Sequence, residues 1–111
     1  MRPIRGRWDL RGLSARSVAL CGSEHRLPVA IVIAEAERNE LYAAAVARAA
    51  GITRMEATRQ FEALRHAGLL VPAGRQRSSG AGRPAALFAR TDRLGWAGLV
   101  ALGARYRLAG E

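Results

Sequence analysis

The sequence has no lysine, a single cysteine (Cys21), four prolines and only 5% aromatic residues. One cysteine permits no internal disulfide and no cysteine-rich zinc site, and it points to a reducing cytoplasm. Long hydrophobic runs are missing as well. The longest apolar stretches, Leu27–Ala34 and Leu94–Ala104, fall well short of the ~20 residues that cross a bilayer. No apolar segment follows the basic N-terminus, so no signal peptide is expected. Acidic residues are scarce: 9 stand against 18 arginines, a formal net charge of +9. GC-rich coding accounts for arginine in place of lysine, but not for bases outnumbering acids two to one. A surplus of that size favours a polyanionic partner, above all nucleic acid.

What is present suits one folded domain. The chain is 111 residues long and half of them are hydrophobic, enough to bury a core without disulfides or a metal. The charge is uneven. Residues 1–22 carry five arginines and one acid, and residues 72–90 carry four arginines and no acid. Two basic excursions thus flank a nearly neutral body. The first, residues 1–12, holds Arg2, Arg5 and Arg7 with Pro3, Gly6 and Gly12 and no apolar periodicity, which predicts an extended basic arm. Trp8, Leu10 and Leu13 are available to dock it onto the body. The domain proper is expected over 13–108.

Along that domain, Ser14 is a candidate cap for a short helix to about Leu20. The run Leu27-Pro28-Val29-Ala30-Ile31-Val32-Ile33-Ala34 is β-branched like a buried strand, yet continues into Glu35-Ala36-Glu37-Arg38 like a buried helix. Ser23 and Glu24 ahead of it, with Pro28 in the first turn, favour the helix. Leu41-Tyr42 reads as a short bridge, and a helix follows over Ala43–Ala50, with Gly51 at a C-cap that needs positive φ. Thr53-Arg54-Met55-Glu56 is a capping box. It opens a helix to about His66 or Ala67, with Ala57, Phe61 and Leu64 as its apolar stripe. Leu69-Leu70-Val71 and Ala85–Arg90 read as two strands, joined by a long flexible loop over 72–84. Thr91 and Asp92 start a last helix to about Leu108.

The two helices joined by Gly51-Ile52-Thr53 form a helix-turn-helix, and the strands and arginine-rich loop that follow make it a winged one. The predicted fold is therefore mainly α with a small two-stranded β-wing. In such a unit the start of the second helix meets base edges. Arg54, Thr58 and Arg59 share its exposed face, with Thr53, Met55 and Arg65 beside them. Arg54 and Arg59 suit bidentate contact with guanine, and Thr58 suits a phosphate or a thymine methyl. Glu56 is assigned to the cap and Glu62 to an intrahelical pair with Arg59 or Arg65. In the wing, Arg75, Arg77 and Arg83 with Ser78 and Ser79 suit phosphate or minor-groove contact.

Val46-Ala47-Arg48-Ala49-Ala50-Gly51-Ile52-Thr53, the phrase Leu64-Arg65-His66-Ala67-Gly68-Leu69, and Gly82-Arg83-Pro84 leading into Ala85–Arg90 together resemble the bacterial ArsR/MarR-type winged-helix regulators. The resemblance covers roughly residues 15–108. It implies a dimeric, cytoplasmic DNA-binding transcriptional regulator, with repression the expected sign. The chain departs from metal-sensing ArsR proteins in lacking a Cys-x-Cys pair or His/Asp cluster, and Met55 and Glu56 are unusual at the tip of the second helix.

Other residues carry weaker chemistry. Cys21 and His25, spaced i, i+4, would share a helix face, but no third ligand stands near them, so no metal or other cofactor is expected. A redox role for Cys21 would need an electropositive, accessible niche, and the small-molecule effector is left unspecified. Glu35, Glu37 and Glu40 cluster without a nucleophile or phosphate cradle and read as a solvated helix end, so an enzyme is not expected. From Leu94 to Ala104 almost nothing is polar, and a helix apolar all round needs cover on more than one side. A second protomer is the expected cover, meeting the 92–108 helix and the 14–20 segment, with Gly95, Gly98 and Gly103 admitting its backbone. The rival expectations are an architectural or plasmid- and replication-associated DNA binder of low sequence specificity, and a winged-helix protein–protein adaptor.

Overall fold

In the computed structural model, which describes residues 8–76 and 85–107 apart from the side chains of 75, 76 and 85, five helices and three strands follow in the order α1 (Leu10–Cys21), α2 (Arg26–Glu35), β1 (Glu40–Leu41), α3 (Ala43–Ala50), α4 (Arg54–His66), β2 (Leu70–Gln76), β3 (Ala85–Arg90) and α5 (Arg93–Ala104). The ambiguous β-branched run is a helix, α2. Every residue from Leu27 to Ala34 is buried, because α1, α3, α4 and α5 all pack against it. Burial on all sides outweighs the modest helix cost of Val and Ile. Pro28 is tolerated because it lies in the first turn, where its missing N–H has no intrahelical acceptor.

Helix ends follow local chemistry. Gly51 (φ 71°) ends α3 in the left-handed region that glycine enters without strain. Gly68 (φ 82°) ends α4: Leu69 N–H donates to the Leu64 carbonyl and Gly68 N–H to that of Arg65, a Schellman pair. Asp92 caps α5 by accepting from the Gly95 N–H at 3.2 Å. The start of α1 differs from expectation. The cap is Asp9, accepting from Gly12 N–H at 3.0 Å, not Ser14. Trp8 is buried and bridges Arg107, while Asp9 N–H donates to the Tyr106 carbonyl at 2.6 Å. Trp8–Gly12 thus belong to the folded body rather than to an arm. Residues 1–7, including Arg2, Arg5 and Arg7, lie outside the described residues.

The sheet is three-stranded and antiparallel, in the order β1-β3-β2. The bridge at Leu41 therefore extends to a short edge strand, Glu40–Leu41, which the expected two-stranded wing omits. β2 is longer than the expected Leu69–Val71. It passes through Pro72, which an edge strand accommodates, and reaches Gln76 by a bulge at Ala73, where Pro72 pairs with Phe88 and Gly74 with Leu87. Gly74 takes φ 105° there. Arg90, at the end of β3, donates to the carbonyls of Ile33, Ala34, Ala36 and Arg38. It satisfies carbonyls left open at the end of α2.

α5 ends at Ala104, short of the expected Leu108, which lies outside the described residues. Gly103 is buried against α2, where a Cβ would come within 2.7 Å of Ile31 Cγ2. That close approach is to the chain's own core. A Cβ at Gly95 would crowd Asp92 Oδ2 at 3.0 Å and Leu69 at 3.2 Å, whereas one at Gly98 would meet open space. No single helix among the described residues is long and apolar enough to cross a membrane.

Candidate nucleic-acid interface

α4 is divided lengthwise into a buried and an exposed face. Its inner face, Ala57, Gln60, Phe61 and Leu64, is buried. Phe61 packs edge-on against Phe88 of β3, with ring centroids 5.3 Å apart at 82°. That contact fixes α4 on the hairpin, while the Gly51 turn fixes it against α3. The outer face is left to solvent. There Arg54, Met55, Thr58, Arg59 and Glu62 line a shallow groove of about 610 Å³.

Each outer residue has a defined state. Thr53 caps the helix through its hydroxyl, which accepts from Glu56 N–H at 3.1 Å. Glu56 does not complete the box as the spacing predicts. Its carboxylate accepts from Gln60 Nε2 at 2.8 Å and lies 3.7 Å from the Arg59 guanidinium. Arg59 keeps a side chain 70% exposed, where screening leaves such a pair weak. Arg54 is exposed, with no ion pair among the described residues. Thr58 donates its hydroxyl hydrogen to the Arg54 carbonyl at 2.9 Å. Arg65 sits nearer the far end of the helix and pairs with Glu62 at 3.2 Å. The structure therefore groups Arg54, Met55, Thr58 and Arg59, and sets Thr53 and Arg65 apart from them.

The expected hairpin residues are only partly placed. Arg75 pairs through its backbone with Ala86 in the β2–β3 ladder. Its side chain, and Arg77, Ser78, Ser79 and Arg83, lie outside the described residues.

A buried polar relay behind α4 was not legible in the sequence. Gln60, 3% exposed, accepts from Arg26 Nε at 2.8 Å and donates to Glu56 and, at 3.4 Å, to Ser23 Oγ. Ser17 of α1, fully buried, donates to the Ser23 carbonyl and accepts from Leu27 N–H at 2.8 Å. α1, α2 and α4 are thus joined by satisfied buried polar groups, which hold a geometry more tightly than apolar contact alone. The available signal was a glutamine within the apolar stripe of α4.

Cys21 and His25 do not share a helix face. α1 ends at Cys21, Gly22 turns the chain at φ 74°, and His25 sits ahead of α2 and contacts Glu24. Among the described residues no group of three or more His, Cys, Asp or Glu side chains is arranged to hold a metal ion. No protein-family model, curated protein or solved structure matches the chain.

Proposed function

We propose that the protein is a sequence-specific, double-stranded-DNA-binding transcriptional regulator that acts as a dimeric repressor. The observation that carries this reading is the outer face of α4. A helix seated by a tight glycine turn on α3 presents Arg54, Thr58 and Arg59 at its N-terminal half, the end that a helix-turn-helix lays against base edges. In this reading α3 and α4 form the helix-turn-helix and β2–β3 the wing, in keeping with the resemblance to ArsR/MarR-type regulators. Arg54 and Arg59 reach guanine. Thr53 holds the helix start, and Arg65 and the wing residues Arg75, Arg77, Ser78, Ser79 and Arg83 take the flanking backbone. The net charge of +9 supplies the long-range attraction.

Dimerisation is part of the proposal. The outer face of α5 leaves Leu94 86% and Val100 39% exposed, and α1 leaves Val18 52% and Leu20 66% exposed. A second copy covering these faces would present two copies of α4 to two half-sites.

Selection from a random-duplex pool tests the function. The expected product is a two-fold motif whose affinity falls with salt at a slope of about −0.9 per phosphate contact, with on the order of 6–10 contacts per dimer. A motif-free pool with steep salt dependence would instead favour an architectural binder. A flat salt profile would end the DNA-binding proposal.

A further inference from the structure

Met55 is 70% exposed, the only large apolar residue of α4 left in solvent. At about 100° per residue, Thr58 and Met55 lie between Arg54 and Arg59 around the helix. Glu62 falls in the same sector a turn further on, where Arg65 occupies its carboxylate. Thr58 has already given its hydroxyl hydrogen to the Arg54 carbonyl. Donating to guanine O6 or N7, adenine N7, thymine O4 or a phosphate would first break that bond, whereas its methyl group is available without change. What Thr58 and Met55 together offer a partner is an apolar notch flanked by two guanidinium groups. The floor of the major groove carries one apolar group, the C5-methyl of a pyrimidine, beside the acceptors that arginine reads on guanine.

Resting on the DNA-binding reading above, we infer that Met55 and Thr58 form a seat for the C5-methyl group of a pyrimidine, thymine or 5-methylcytosine, set between the bases or phosphates reached by Arg54 and Arg59. Burying one methyl group corresponds to an affinity change of about fourfold.

The test replaces each thymine of the pool-selected duplex with deoxyuridine, one at a time. At one position per half-site, loss of the methyl group weakens binding about fourfold. At that same position, 5-methylcytosine against cytosine separates the two sources. An equal gain shows that the methyl alone is read, and no gain assigns the seat to thymine. Thr58→Ser and Met55→Ala, both on the exposed face, bring the thymine–uracil difference below about twofold. Thr58→Val keeps the methyl and exchanges the hydroxyl for a second methyl, and it retains the difference. Equal binding of thymine and deoxyuridine at every position overturns the seat while leaving DNA binding intact. So does a full difference surviving in Thr58→Ser and Met55→Ala. Absence of binding to any duplex overturns the DNA-binding reading and the seat with it.

Discussion

α4 and α5 are nearly equal in length, at 13 and 12 residues, and each buries one side in the same core. Phe61 anchors α4, and Trp96, whose indole N–H donates to the Leu69 carbonyl at 3.0 Å, anchors α5. Their outer faces are opposites. α4 shows solvent arginines, Thr58 and one methionine, whereas α5 shows Leu94, Ala97, Gly98 and Ala101. A charged outer face stays hydrated until a counter-charged surface displaces its ions. An apolar outer face gains by meeting another apolar surface. The two helices thus use the same inward architecture, and the proposed function assigns them different partners: nucleic acid to α4, a second copy to α5.

Four substitutions at three places press on that contrast. The largest effect is expected inside, where the helices are alike. Phe61→Ala removes a fully buried ring and its contact with Phe88, and should cost about 3–5 kcal/mol in urea unfolding. A loss under about 1 kcal/mol would mean that α4 is not held by this joint.

A smaller effect is expected on the outer face of α4. Arg54→Ala or Arg59→Ala should each cost roughly 1–3 kcal/mol on the selected duplex and relax base preference at one position. Fold stability should stay within about 0.5 kcal/mol. Arg54, which has no ion pair among the described residues, should show the larger loss, since Arg59 also faces Glu56. Unchanged binding by both variants would move the interface elsewhere.

The smallest effect on the folded protomer is expected at the outer face of α5. Leu94→Glu at an 86% exposed site should leave thermal stability of the protomer within about 0.5 kcal/mol and convert a dimer to a monomer by light scattering. Leu94 is better suited than Leu99, which packs against the core and would confound assembly with folding. A wild-type mass of 11.9 kDa at micromolar concentration would remove the dimer, and a dimeric Leu94→Glu protein would remove this face from it.

Much of the fold was legible where its cause is local. Thr53 and Asp92 each accept a hydrogen bond from an N–H three residues on, and Gly51 and Gly68 take the positive φ that ends a helix. Each of these signals involves neighbours along the chain. The outer face of α4 was legible in part for the same reason: once Ala57, Phe61 and Leu64 define the inside, helical periodicity places Arg59 opposite them and Thr58 well to one side, whereas Arg54, seven residues before Phe61, falls at the edge of the stripe and is exposed at the helix start. Glu56 departs from the expected capping box because its carboxylate bonds Gln60, one turn on, whose amide is in turn held by Arg26 and Ser23.

By itself the sequence determined the caps at Thr53 and Asp92, the glycine stop at Gly51, the inward stripe of α4, the arginine surplus and the division between polar and apolar outer faces, because caps, turns and periodicity act over about four residues. Only the tertiary structure decided where α1 is capped. The expected cap was Ser14, and the start falls instead at Asp9 because Trp8 is buried beside Arg107 and Tyr106, almost a hundred residues along the chain. It also decided that Arg90 closes the end of α2 and that Gln60 joins Arg26 and Ser23 behind α4. Each of these rests on groups more than thirty residues apart along the chain, and burial leaves a polar group such as Gln60 no water to use instead.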